Sequence, residues 1–423
     1  MIYDKASLVQ IPSGYKSGTL YSVVPNTADG DFDVTRGSTA TRVNKDGLIE
    51  STAANQARLS RNFIDGVVQP DPYLLLEPAR ANLIVRSETF NLWGDVGVTV
   101  TEDATIAPTG AQTADLLTST ANNWRRSISY TITNGTVYSF SCFVKKHTTT
   151  DNIRFELYKG ASATFLDFVF STQALSASDT SLTDLKVENY PNDWYRVSCK
   201  FTSNGTNFIC YAYPSQGYGT SGSAYFWGAQ LEQGTHPTSY IPTSGSAVTR
   251  TADLVSGGGD ANLFNDSEGT LFVEARGLDS NDTSPRGINI SSGNNENRVL
   301  IQWQGNTLYF VVLKFYFNQT LISTTAYDTE EYLRIGFRYK ENDVAVYVNG
   351  NLVAIDTNAS MFSDGTLTTL DFRIGTLGSD NYFNGGVKQL MYFNTALLNS
   401  ELEEITSYKS FGQMAKALLY TIE

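Results

Sequence analysis

Residues 344–355 read VAVYVNGNLVAI. Apolar residues alternate on both flanks of Asn349-Gly350, a pair suited to a type I′ turn because both central residues must take positive φ. The spacing predicts a β-hairpin, and the sequence on either side continues in kind. GTLFVEARG, RVLIQWQG, TLYFVVLKFYFN and YLRIGFRYK precede it, and TLDFRIGT and GVKQLMYFN follow. Short apolar-alternating runs separated by Gly, Asn and Ser turns are the pattern of a β-sandwich. After them, Ser400-Glu401-Leu402-Glu403 has the form of a capping box. Leu402, Ile405 and Tyr408 then follow at helical spacing, so a short C-terminal helix is expected.

A second set of such runs lies between Ser87 and Pro242: SISYTI, TVYSFSCFVKK, NIRFELY, TFLDFVFS, WYRVSCKFT, NFICYAYP and AYFWGAQLE. These predict a sandwich of jelly-roll type. In its closing strand, Tyr225 to Leu231, alternation turns Phe226 and Trp227 to opposite faces. His236 and Pro237 then fall in the turn leaving the sheet, and TSGSAVTRTAD (243–253) has the small polar composition of a linker. The first 85 residues are turn-rich. GTLYSVVP and GDFDVTRGS are strand-like, ATRVNKDGLIES reads as two strands around Asn44-Lys45-Asp46-Gly47, and PDPYLLLEPARANLIV is an apolar run bracketed by prolines. This segment has too little apolar mass for its own core. It is either an attachment segment that docks on a partner or an extension of one sandwich. The expected organisation is all-β: an N-terminal β segment (1–85), a jelly roll (86–245), and a second antiparallel sandwich with the C-terminal helix (246–423).

Composition excludes several functions. The chain has 423 residues, more than one ordinary core accommodates, and a formal net charge of −13 without any run of Lys or Arg. Nucleic acid and anionic membrane surfaces both need clustered cations, so neither is an expected partner. No apolar run approaches a membrane span, and MIYDKASLVQIPSG lacks the charged-then-apolar order of a secretory signal. Cys142, Cys199 and Cys210 are odd in number and lack CxxC spacing, which speaks against a disulfide framework or zinc site. They are expected as buried small hydrophobes in a protein made in a reducing cytoplasm.

Catalytic signatures are absent. His147 and His236 belong to neither an HExxH nor a GxSxG pattern and are expected as solvent-facing loop residues. Glu156, Asp167, Glu188 and Glu232 are accounted for as charges on the solvated face of a sheet, so the expectation is a non-enzyme. Sugars are held by aromatic faces and planar polar groups. Trp93, Trp194, Trp227 and Trp303 lie in packing contexts. Trp124, in TANNWRRSIS, is placed at a polar loop-to-strand junction beside Arg125 and Arg126, and Tyr213, Tyr218 and Tyr225 surround the loop YPSQGYGTSGSAY. These six residues are the carbohydrate-binding candidates. LDSNDTSP, SSGNNENR and LGSDNYFNGG offer oxygen ligands, with Asp279, Asp282 and Asp380 as calcium candidates. Turn chemistry explains the same residues, so no cofactor is expected beyond the calcium these loops would suit.

Three patches together resemble a known family. DFDVTRGSTATRVNKDGLIE followed by YLLLEPARANLIVRSETFNLW is similar to the N-terminal signature of many tailed-bacteriophage virion proteins. NDWYRVSCKFT and FWGAQLEQGTHPTSYIPT resemble the last strands of the carbohydrate-binding-module-like jelly roll found in such proteins. DVAVYVNGNLVA with GVKQLMYFNTALLNSELEEI resembles laminin-G-like, concanavalin-type sandwiches. The resemblance implies a tail fibre, head fibre or capsid decoration made in the host cytoplasm, released by lysis and located on the virion. Its implied partners are other virion proteins of capsid, collar or tail, further copies of itself as a trimer or dimer, and host-surface glycan. The phage spikes that depolymerise polysaccharide carry a long parallel β-helix, and no such repeat is present. The alternatives are a purely architectural part without ligand and a glycan-degrading tail enzyme.

Overall fold

The computed structural model describes residues 2–147, 151–215, 221–374 and 381–407, with 95–96 and 120–126 described through their backbone. The hairpin forms as expected. Val344–Val348 pairs with Asn351–Asp356, and Asn349 and Gly350 take φ of 51° and 81°. Its apolar residues serve two cores. Val344, Val346 and Val348 face the sandwich interior, while Ala345 and Tyr347 pack with Leu402 and Ile405 of the C-terminal helix. That helix spans Asn399–Ser407. Its start differs from the expected box, because Glu401 reaches back to accept the Leu398 N–H at 2.9 Å. The carboxylate therefore caps from a frame N-terminal to Ser400. Tyr408 lies outside the described residues.

The second sandwich is built from both sides of the jelly roll. One sheet runs Asn351–Asp356, Val344–Val348, Leu333–Lys340, Glu268–Gly277, Gly385–Phe393, Val67–Leu76 and Leu59–Ile64, and Leu8–Gln10 also pairs with Gly385–Phe393. The facing sheet runs Phe317–Thr324, Thr307–Lys314, Arg298–Gln304, Arg286–Ser291 and Thr369–Asp371. A small sheet of Tyr15–Lys16, Thr19–Leu20, Phe32–Thr35 and Leu254–Ser256 adds Leu20, Phe32, Val34 and Val255 to the same core. Leu8, Leu20, Phe32, Val34, Leu74 and Leu76 of the first 85 residues thus join the core of Leu271, Ile301, Phe310 and Phe337, while Ile2 and Val9 pack with the C-terminal helix and Ile84 with the jelly roll.

The jelly roll is one curled sheet of 11 strands. Gln112–Arg126 joins its layers: Asp115–Ser119 pairs with Gly222–Gln233, and Arg125–Arg126 with Asn207–Tyr213. Phe140, Phe155, Phe201 and Phe226 fill the interior. Trp227 turns to the opposite face, as the alternation requires, and is buried there with Phe143, Trp194, Tyr240 and Ile49. Cys142, Cys199 and Cys210 are buried and unbridged, and burial pushes their thiols up.

The stretch 243–253 departs from the linker expectation. Val248–Arg250 forms a strand pair with Arg80–Asn82, and Arg250 and Asp253 are 1% and 2% exposed. The reason is charge. Asp253 accepts from Arg36 Nη1 at 2.7 Å, from the Arg58 guanidinium, and from the Glu77 N–H at 3.0 Å. Glu77 accepts from Arg58 Nη1 at 2.6 Å, from Arg250 Nη1, and from Ser239 N and Oγ at 2.8 and 2.7 Å. Three guanidinium groups and two carboxylates therefore form a buried hub where the three parts of the chain meet. Glu77 is held below the usual carboxylate range: burial pushes it up, but Arg250 and Arg58 outweigh burial.

The Thr307–Lys314 and Phe317–Thr324 strands are joined by Phe315 and Tyr316, with φ of 50° and 67° and both side chains exposed. Left-handed backbone is costly for bulky residues, and these rings gain no burial in return. Replacing the pair with Asn-Gly is expected to stabilise the protein by about 1–2 kcal/mol. The check is the midpoint of urea unfolding, which should rise.

Candidate functional site

Of the expected sugar-binding residues, the backbone register places Arg125 and Arg126 opposite Ala212 and Tyr211, beside Tyr213, while Tyr225 stands apart. Trp124, Arg125 and Arg126 belong to the Gln112–Arg126 strand, with Val96 opposite Trp124, rather than to a loop junction. The polar composition of TANNWRR conceals a strand paired along both edges near its end. Tyr213 is half-buried, and its hydroxyl donates to Glu156 at 2.7 Å. Tyr225 stands opposite Leu116, far along the same strand from the residues paired near Tyr213, and its ring meets His147 edge-on at 5.2 Å. Tyr218 and Asp380 lie outside the described residues.

The structure instead opens a cleft where the three parts of the chain meet. One wall is Leu182–Tyr190, the terminal strand of the jelly-roll sheet. The other comes from the Leu59–Ile64 and Val67–Leu76 hairpin, and the base from residues 235–240 and 276–281. The cleft has two lobes of about 470 and 590 Å³, which share Val43, Tyr73, Lys186, Glu188, Tyr190 and Arg276. Tyr190 is fixed by Phe63 at 4.6 Å and Phe143 at 5.0 Å. A further hollow of about 570 Å³ lies beside Pro12 and Pro72 and shares Arg42 and Arg61 with the cleft. Its charges are largely satisfied already, as by the Arg42–Glu50 and Lys45–Asp46 pairs.

Two residues expected on solvated surfaces are structural. Glu232 is fully buried and accepts from Thr238 N–H at 2.8 Å and Oγ1 at 2.5 Å, which fixes the turn after its strand. His236 is not a free loop residue: its Nδ1 lies 3.4 Å from Asp279 Oδ2, linking the jelly roll to the second sandwich. Burial pushes the Asp279 carboxyl up, but donors from His236, Thr235 and Asn281 hold it well below the usual range. Asp282 accepts from the Ser284 N–H at 2.9 Å and pairs with Arg286 at 3.3 Å. Among the described residues, no group of three or more His, Cys, Asp or Glu could hold a metal ion.

The cleft thus offers amides and cations beside largely packed phenol rings on a concave surface, which suits binding of a polar ligand. Its residues come from PDPYLLLE, VENYPND and LFVEARG, three segments far apart in sequence.

No protein-family model matches the sequence, and no curated protein matches it either. Among solved structures, the carbohydrate-binding module CBM40 of the Ruminococcus gnavus IT-sialidase aligns at 14% identity and TM-score 0.31, covering 36% of this chain and 93% of the module. The K499G mutant of NanB sialidase from Streptococcus pneumoniae aligns at 16% identity and TM-score 0.29, covering 34% of this chain. The leech intramolecular trans-sialidase aligns at 16% identity and TM-score 0.29, over 35% of this chain. The chain spans only 25% and 24% of these two enzymes. No helix among the described residues is long and apolar enough to cross a membrane.

Proposed function

We propose that this chain is a non-enzymatic structural protein of a tailed-phage virion, a fibre or decoration, that holds host-surface carbohydrate in the cleft between its sandwiches. The cleft carries the ligand half of this reading. Tyr73 and Tyr190 line both lobes, and Asn62, Asn189 and Lys186 supply amide and ammonium donors beside them. Sugar rings pair their apolar faces with aromatic rings and their hydroxyls with such groups. The virion half rests on the order of the three sequence patches. Other virion proteins and further copies of the chain are the partners this role calls for.

The test is binding of the full chain to a glycan array and to host cell-wall polysaccharide. Lys186 is exposed and Asn189 half-buried on an edge strand, so the fold should tolerate their loss. The double variant Lys186→Ala, Asn189→Ala is expected to weaken binding at least about ten-fold. If Trp124→Ala abolishes binding and the double variant does not, the site belongs on the jelly roll instead. Failure to bind any host surface, with normal incorporation into particles seen by cryo-EM, would leave the architectural role alone. Release of reducing sugar from the polysaccharide would overturn the non-enzymatic reading.

A further inference from the structure

We infer that the saccharide taken by this cleft is acidic and that its anionic group seats against the guanidinium of Arg276. This rests on the cleft being the glycan site. Most cations lining the lobes have a carboxylate. Lys200 pairs with Asp184 at 2.5 Å and Arg42 with Glu50 at 2.6 Å, while Glu188 lies 3.9 Å from both Lys186 and Arg196. Two guanidinium groups are the exception among the described residues. Arg61 donates to the Gln69 carbonyl at 3.2 Å, and Arg276 reaches the Asn62 amide oxygen at 3.4 Å and the Tyr73 and Tyr332 phenols, with no carboxylate among its partners.

Arg276 is held in place by rings rather than by charge. Its Cζ lies 5.7 Å from the Tyr73 ring centroid and 5.1 Å from that of Tyr332, and the two rings meet edge-on at 6.0 Å. The opposing strand position is Gly386, where a Cβ would come within 2.4 Å of the Tyr332 hydroxyl. Glycine there admits the ring that flanks the guanidinium. Its Nε is buried without a hydrogen-bond partner. A planar fork of donors, desolvated and lacking a counter-ion, matches a carboxylate or phosphate oxyanion, and the burial cost is offset when one arrives. Arg276 lines both lobes and Arg61 the larger one, so an extended sugar chain would meet both.

The experiment compares oligogalacturonate with its methyl ester, the same sugar made neutral, by calorimetry on the full chain. Sialyllactose and inorganic phosphate serve as competitors that separate carboxylate from phosphate recognition. The acid is expected to bind at least about ten-fold more tightly than the ester at low salt, as one charge-assisted bidentate contact requires. Arg276→Gln is expected to bring that ratio close to one, and Arg61→Gln, on a half-buried side chain, to lower it at least about three-fold. If Arg276→Gln does not fold, an unchanged ratio in Arg61→Gln overturns the inference. Equal binding of acid and ester by the native chain also overturns it and leaves the glycan site standing. Binding of neither sugar, with none of the array glycans bound, overturns both readings. Displacement by phosphate alone moves the anion from carboxylate to phosphodiester polymers.

Discussion

Asp253→Ala is expected to cost about 3–5 kcal/mol, since it breaks a buried ionic hub by removing one partner. The loss is larger than one hydrogen bond would suggest. Asp253 neutralises both Arg36 and Arg58, and the three side chains are at most 2% exposed. Without it, Arg36 loses its carboxylate partner and Glu77 is left to balance both Arg58 and Arg250. Chemical unfolding followed by circular dichroism checks this, and a loss under about 1 kcal/mol would show that water reaches the hub. The surface pair Arg42–Glu50 is the control: Glu50→Gln should cost less than about 1 kcal/mol. Acid supplies a second readout. Glu77 is depressed below its unfolded value, so its stabilisation is fully present above the ordinary glutamate pKa near about 4.3 and is lost as pH falls below it. The native chain should lose stability on acidification over that range, and Glu77→Gln should flatten the slope.

Trp227→Ala is expected to cost about 3–5 kcal/mol, the range for deleting a large aromatic from a tight core. The indole is fully buried, 4.4 Å from the Tyr240 ring and 5.3 Å from Phe143. Ile49 packs into the same cluster, so the void would open where the N-terminal hairpin meets the jelly roll. Trp227→Phe keeps an aromatic contact and should recover about half of the loss. Urea unfolding of the three proteins gives the comparison, and a loss below about 1.5 kcal/mol in the alanine variant would mean the cluster collapses around the gap.

Local rules made the strands, the Asn349-Gly350 turn and the opposite facing of Phe226 and Trp227 legible, because each depends on neighbours within a few residues. The hub was not legible. Arg36, Arg58, Arg250 and Asp253 sit in turn-like or polar stretches, Glu77 sits between an apolar run and a proline, and nothing local separates a buried ion from a solvated one. The same holds for Glu232 and His236, whose partners are set by packing. The cleft was missed for a related reason. Sequence reasoning favoured aromatics in Gly-rich loops, whereas the walls are strand residues such as Tyr73 and Tyr190 brought together by the junction of the parts.

The pairing of Leu8 with Tyr392 has a consequence for how the chain is made. The jelly roll is complete once Gly222–Gln233 has been synthesised, so it can fold while translation continues. The surrounding sandwich cannot, because Gly385–Phe393 lies inside its sheet and leaves the ribosome well after the jelly roll. At about 5–20 residues per second, Leu8 and Leu74–Leu76 wait on the order of tens of seconds for their strand partner. During that interval their apolar surface is open to neighbouring nascent chains, while the jelly roll just downstream can already be folded.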